Sequence, residues 1–277
     1  EIEIVVVDDG SDDDTIGESI TANGYNAWGS LKVDSSSTIE FCKFGSSDFA
    51  YTLDYIWNGE GAIQNNVFNG CASPLRITEN YSSGPLKVFN NLFYGIVDAI
   101  RINSTSFYAG CLTISNNTID NVYDGIYMSS VDTSTCVQIR DNLFLNCSNG
   151  IRIPNGISSL LFGEYNNAFY SCNNSTVGFA QNYTDLDDTD FTTSPLDSTN
   201  TYIGSHYLND TTGGGDLLIN GGSSNASSIY DNERLWSTRH PQGSRLITSA
   251  TELTYDVTWS PTDSYDSDLV DIGFHYP

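Results

Sequence analysis

The 277-residue sequence predicts an all-β fold, a parallel β-helix of about six 25-residue coils, and three observations carry that reading. The segments IQNNVF, VFNNLF, TISNNTI, QIRDNLF and EYNNAF share a polar pair whose second member falls at Asn66, Asn91, Asn117, Asn142 and Asn167, in steps of 25, 26, 25 and 25 residues. The apolar positions Phe68, Phe93, Ile119, Phe144 and Phe169 keep those steps, and Phe44 adds an earlier rung. In phase with them, PLRI, AIRI, GIYM and GIRI end at Ile77, Ile102, Met128 and Ile153.

Each strip alternates apolar and polar residues, the signature of a short strand with one buried face. Several short strands with Asn/Gly corners in a period near 25 describe one coil. Successive coils then stack at the inter-strand spacing of about 4.8 Å. The multiple-Leu consensus of leucine-rich repeats is missing, and propeller blades need longer repeats of antiparallel strands. Asn tolerates the left-handed backbone at a corner. Its amide can also donate to and accept from the Asn one coil away. The Asn column is therefore expected to be a stacked ladder at a left-handed corner.

The cysteines follow the same period. Cys111 and Cys136 are 25 residues apart, as are Cys147 and Cys172. Each pair then occupies one repeat position in adjacent coils, at a Cα separation inside the range of about 4.4–6.8 Å that a disulfide needs. Both bridges are expected. By elimination Cys42 could pair with Cys71, but the two sit out of phase. No C-x-x-C spacing occurs, which argues against zinc. Disulfides point to an oxidising compartment, or to an extreme thermophile.

With these strips in place, the chain resembles the right-handed parallel β-helix proteins of the pectate-lyase-like superfamily over residues 36–182. The closing SDLVDIGFHYP resembles the end of secreted microbial β-helix proteins, and LLINGG at 217–222 a strip found shortly before that closure. The resemblance implies the fold and a secreted microbial origin, and it is specific for fold rather than activity.

Composition narrows the partners. The formal charge is −25, with 35 acidic and 10 basic residues. Such a chain is a poor match for a phosphate backbone or an anionic membrane surface. No run of 18 or more apolar residues exists, so no membrane insertion is expected. Hydrophobic content of 39% and aromatic content of 12% suffice for a core. Charged residues are only 16%, and Asn, Ser, Thr, Gly and Tyr replace them. An ordinary globular domain carries roughly 25% charged residues. The chain opens at Glu1 with no positively charged leader, which reads as a mature chain after signal-peptide removal.

The repeat divides the chain into three regions. Residues 1–35 hold the apolar strand EIEIVVV and the acidic loop DDGSDDDT, residues 36–182 the β-helix, and residues 183–277 an all-β region rich in turns. The first strand either caps the open end of its own helix or completes a sheet in a neighbouring copy. Strand addition repeated head to tail would build a filament. Asp8, Asp9, Asp12, Asp13 and Asp14 form a candidate Ca²⁺ site of hard oxygen ligands, and a solvated acidic loop is the alternative. Nine N-x-S/T sequons begin at Asn80, Asn103, Asn116, Asn146, Asn173, Asn174, Asn182, Asn209 and Asn225. Asn80, Asn103, Asn182, Asn209 and Asn225 are the candidate glycosylation sites, whereas Asn116 falls in the corner motif and is expected to be unmodified.

A functional face is expected on the outside of the G-I-x-I strands, where Arg76, Arg101, Tyr127 and Arg152 line up. Just upstream, Asp98 and Asp124 share one repeat position. That places them about 5 Å apart, close to the carboxyl spacing of a retaining glycosidase. A lyase of the resembled family would use an Arg or Lys base beside Ca²⁺ held by carboxylates, which singles out Arg101 with Asp98 and Asp124. Asp before Gly is also ordinary corner chemistry, and an Arg ladder flanked by acids is ordinary structural pairing. No G-H-G motif is present, and none of His206, His240 and His275 lies in the repeat. The expected function is thus a non-enzymatic extracellular structural protein, a rigid self-assembling subunit without a catalytic constellation. A polysaccharide lyase, a glycoside hydrolase or a glycan-binding adhesin using the same face is the alternative.

Overall fold

The computed structural model of the chain describes residues 19–20, 27–28, 31–34, 38–40, 43–45, 53–57, 60–70, 73–79, 84–103, 111–130, 136–157, 162–179, 189–192, 194–195 and 218. Over them the chain is a parallel β-solenoid with three faces. Sheet one stacks Leu31–Asp34, Leu53–Trp57, Leu75–Glu79, Asp98–Asn103, Asp124–Ser130, Asn149–Ile157 and Asn174–Phe179. Sheet two stacks Thr38–Glu40, Gly61–Gln64, Leu86–Phe89, Cys111–Ser115, Cys136–Arg140 and Phe162–Tyr165. Sheet three runs from Lys43–Gly45 through Val67–Asn69, Leu92–Tyr94, Thr118–Asp120, Leu143–Leu145 and Ala168–Tyr170 to Thr189–Phe191. Ahead of the solenoid, Ser19–Ile20 pairs antiparallel with Ala27–Trp28.

The register reproduces the repeat columns. Phe93 pairs with Phe68 and with Ile119, and Ile102 with Ile77 and with Met128. These side chains point inward and are fully buried, each burial stabilising by roughly 1.5–3 kcal/mol. The Phe rings stack along the axis, Phe44 on Phe68 and Phe68 on Phe93 at 4.7 Å, and Phe144 on Phe169 at 4.9 Å. Ile119 separates the two stacks. Across the core, the residues opening the sheet-one strips are small because these rings need room. A methyl group on Gly150 would lie 2.6 Å from both the Phe169 ring and the Ser175 carbonyl.

The Asn column is a ladder. Each amide Nδ2 donates to Oδ1 of the next coil's Asn, from Asn66 to Asn91 (2.9 Å), to Asn117 (3.0 Å), to Asn142 (2.9 Å) and to Asn167 (3.0 Å). The left-handed corner, however, sits one residue earlier than expected, at Asn65, Asn90, Asn116, Asp141 and Asn166, with φ between 51° and 57°. The corner residue turns the chain, and this frees the next Asn to point inward with ordinary φ. A second corner, between sheets three and one, takes left-handed φ at Gly70, Gly95, Asn121, Asn146 and Ser171.

Cys111 and Cys136 are register partners on sheet two and form a disulfide with Cα atoms 4.7 Å apart. The second expected bridge is corrected: Cys147 and Cys172 are both thiols. They follow the second corner, in the inward column that begins with Ile96 and Val122. Cys147 Sγ donates to the carbonyls of Leu145 (3.3 Å) and Ile119 (3.8 Å), and Cys172 Sγ to those of Tyr170 and Phe144 (3.7 Å each). The ladder Asn amides make the same pair of contacts, to the carbonyl two residues back and to one in the preceding coil. The sulfurs thus bond to corner carbonyls, and as thiols they also share a side-chain hydrogen bond with each other. Cys42 and Cys71 lie outside the described residues.

From the carboxy-terminal region, Leu218 packs on Leu143, Leu145 and Ala168, with Tyr170 beside them, on sheet three. Glu1–Val7, the acidic loop with Asp8, Asp9, Asp12, Asp13 and Asp14, and the three His lie outside the described residues.

Candidate functional site

The outer surface of sheet one carries two adjacent columns. In the first, the register aligns Lys32, Asp54, Arg76, Arg101, Tyr127 and Arg152. In the second it aligns Asp98, Asp124, Asn149 and Asn174. Alternation along each strand sends Arg76, Arg101, Tyr127 and Arg152 outward while Ile100, Ile126 and Ile151 point in. Asp98 and Asp124 stand two residues before Ile100 and Ile126, where the strand leaves the corner, and reach Arg101 and Arg152 through ion pairs.

Tyr127 is clamped between two cations. The Arg101 guanidinium carbon lies 4.8 Å from the ring centroid, and that of Arg152 lies 5.1 Å from it. Partly exposed cation–π contacts of this kind contribute about 0.5–1 kcal/mol each. Arg152 also donates to Asp124 Oδ2 at 3.1 Å, and that bond holds its guanidinium more firmly protonated than usual. The other Asp124 oxygen accepts from Asn149 Nδ2 at 2.6 Å. Arg101 reaches Asp98 at 3.7 Å, and its Nε is buried with no hydrogen-bond partner among the described residues.

Asp98 and Asp124 are register partners, so the structure brings the two carboxylates together as the spacing implied. Their environments differ. The Asp124 side chain is 4% exposed and both its oxygens are engaged within the protein. Burial raises the Asp98 pKa, the Asp124 charge raises it further, and Arg101 and Arg152 pull it back. Asp124 is therefore bonded as a structural clamp between coils, with little of its surface left to a ligand.

Two exposed apolar residues flank this face: Val97 and Tyr123, 53% and 55% exposed, follow the second corner in adjacent coils. The sequence reading missed Tyr123. Its signal was available, because it stands directly before Asp124 in the repeat, but the alternation of the strips does not extend into the corner. Among the candidate glycosylation sites, Asn103 is half-buried on sheet one and accepts from Ser129 Oγ at 3.0 Å. Asn80, Asn182, Asn209 and Asn225 lie outside the described residues. Among the described residues no group of three or more His, Cys, Asp or Glu is placed to hold a metal ion.

No protein-family model, no curated protein and no solved structure matches this chain.

Proposed function

We propose that this chain is a non-enzymatic extracellular structural protein, a rigid β-helix rod of the secreted, pectate-lyase-like kind, linked to other copies by strand addition. The observation that carries this is the Cys111–Cys136 bridge, which staples one coil to the next in a solenoid whose buried amides already bond from coil to coil. Structural disulfides belong to oxidising compartments. The engagement of both Asp124 oxygens supports a structural rather than a catalytic face. For assembly, the edge of sheet one is Leu31–Asp34, paired on one side among the described residues. The apolar EIEIVVV segment has the composition of a donor strand. Sedimentation and negative-stain microscopy of the full chain, beside a chain lacking residues 1–7, test the proposal. Concentration-dependent end-to-end particles that vanish on deletion are expected; monodisperse full-length monomers at high concentration overturn it.

A second reading rests on the half-exposed guanidiniums around Tyr127 and the exposed Tyr123 ring: a glycan-binding face for anionic sugars. Acidic and neutral polysaccharides, with and without Ca²⁺, discriminate the classes. Retention without turnover, lost in Tyr127→Ala, is adhesin behaviour. Turnover lost in Asp124→Ala is that of a lyase or hydrolase.

A further inference from the structure

We infer that Asn173 carries an N-linked glycan, an assignment that rests on the extracellular reading above. Four other sequon asparagines fall within the described residues, and the fold treats them differently from Asn173 and from one another. Asn116 is fully buried at a left-handed corner. Asn146 Nδ2 donates to Asp120 Oδ1 at 2.7 Å, and Asn174 Nδ2 to Asn149 Oδ1 at 2.9 Å. Asn103 is half-buried and bonded to Ser129. Asn173 is exposed, and its side chain makes no hydrogen bond among the described residues.

The corner explains the exposure. Asn173 occupies the repeat position of Val97, Tyr123 and Ser148, two residues past the left-handed residue of the second corner. That position turns side chains into solvent even when they are apolar, since Val97 is 53% and Tyr123 55% exposed. The backbone there is fixed, with Asn173 N donating to the Cys147 carbonyl at 3.0 Å. A sugar on Nδ2 therefore points away from the solenoid and displaces no inter-coil bond. The acceptor tripeptide is Asn173-Asn174-Ser175. In the transfer, Nδ2 forms a bond to the anomeric carbon of a lipid-phosphate-linked oligosaccharide. The anomeric C–O bond breaks, the lipid phosphate leaves with its electron pair, and the amide proton goes to a base of the transferase.

The test is peptide mass spectrometry of the full chain purified from its natural source, after enzymatic deglycosylation in heavy-oxygen water, with disulfides mapped in the same digest. The expected result is a heavy-oxygen aspartate at position 173. Asn173→Gln and Ser175→Ala should each abolish it, and Ser175→Ala leaves the Asn174 sequon intact. A bridged Cys111–Cys136 peptide with an unmodified Asn173 overturns the glycan while the extracellular reading stands. Cys111 and Cys136 recovered as thiols overturn the extracellular reading itself. Occupancy at Asn174 in place of Asn173 also refutes the assignment.

Discussion

Truncating a mid-ladder amide, Asn117→Ala, tests whether the Asn column stabilises the solenoid or merely decorates its corner. Asn117 is fully buried. Its Oδ1 accepts from Asn91 N at 2.9 Å and Asn91 Nδ2 at 3.0 Å, and its Nδ2 faces the carbonyls of Val88 and Ser115 at 3.0 Å and Asn142 Oδ1 at 2.9 Å. Several partners keep a second bond after truncation: Ser115 O retains Asn90 N, Asn142 Oδ1 retains Asn117 N, and Asn91 Nδ2 retains Ile63 O and Phe89 O. The Asn91 backbone N–H loses its acceptor. An orphaned buried N–H costs about 1–3 kcal/mol, and the amide-sized void brings the expected loss to about 2–4 kcal/mol. In a chain of this size that lowers Tm by about 5–15 °C, read by circular dichroism. Asn117→Asp adds a pH signature. It places a carboxyl oxygen against three acceptors, so the folded state favours the protonated form and raises the pKa above its unfolded value. Stability from such a group is present at low pH and lost as pH rises through the folded pKa. Asn117→Asp should thus approach wild type at pH 4 and fall well below it at pH 7. The reasoning is refuted if Asn117→Ala shifts Tm no more than the exposed control Glu60→Ala, or if Asn117→Asp shows no such pH dependence.

Cys111 and Cys136 close a loop with a sequence separation of 25. Their bridge should contribute about 3–4 kcal/mol by restricting the unfolded chain, so the double serine variant should melt lower under non-reducing conditions by that equivalent. Gly150→Ala pushes a methyl group against the Phe169 ring and the Ser175 carbonyl, and a loss of about 1–3 kcal/mol in urea unfolding is expected. Asp98 has a pKa raised chiefly by burial, so its ionisation weakens the fold as pH rises through that value. Asp98→Asn should therefore exceed wild type in denaturant midpoint at pH 7, and the gap should close below pH 4.

Much of the fold was legible because a solenoid writes its geometry into a period. One spacing of about 25 fixed which residues are neighbours across coils, and the register of Asp98 with Asp124 or Arg101 with Tyr127 follows from it. What the period cannot give is where a side chain points within a corner. The left-handed residue fell at Asn90 and not Asn91 because both corner positions are Asn, and amide chemistry alone does not distinguish turning the chain from bonding along it. The face of sheet one was visible as a column, but its electrostatics were not. Whether Asp124 is open to a ligand depends on its bonds to Asn149 and Arg152, which lie 25 and 28 residues away, and neither bond follows from the repeat step.

The cysteines make the same distinction sharp enough to measure. Both pairs share a step of 25, yet Cys111 and Cys136 open half-exposed sheet-two strands while Cys147 and Cys172 sit in the inward column of Ile96 and Val122. Burial pushes the Cys147 thiol pKa up, with Cys172 adding to the shift, which disfavours the thiolate that disulfide exchange requires. If that column needs only apolar volume, as its first described members indicate, then Cys147→Val with Cys172→Val should cost less than about 1.5 kcal/mol. Were the pair bridged, valine would instead remove a cross-link over the same separation as Cys111–Cys136 and cost about 3–4 kcal/mol. Thermal melts of the two double variants, run side by side without reductant, separate these outcomes. A valine variant that melts as low as the serine one would mean that the repeat step alone decides the bridge.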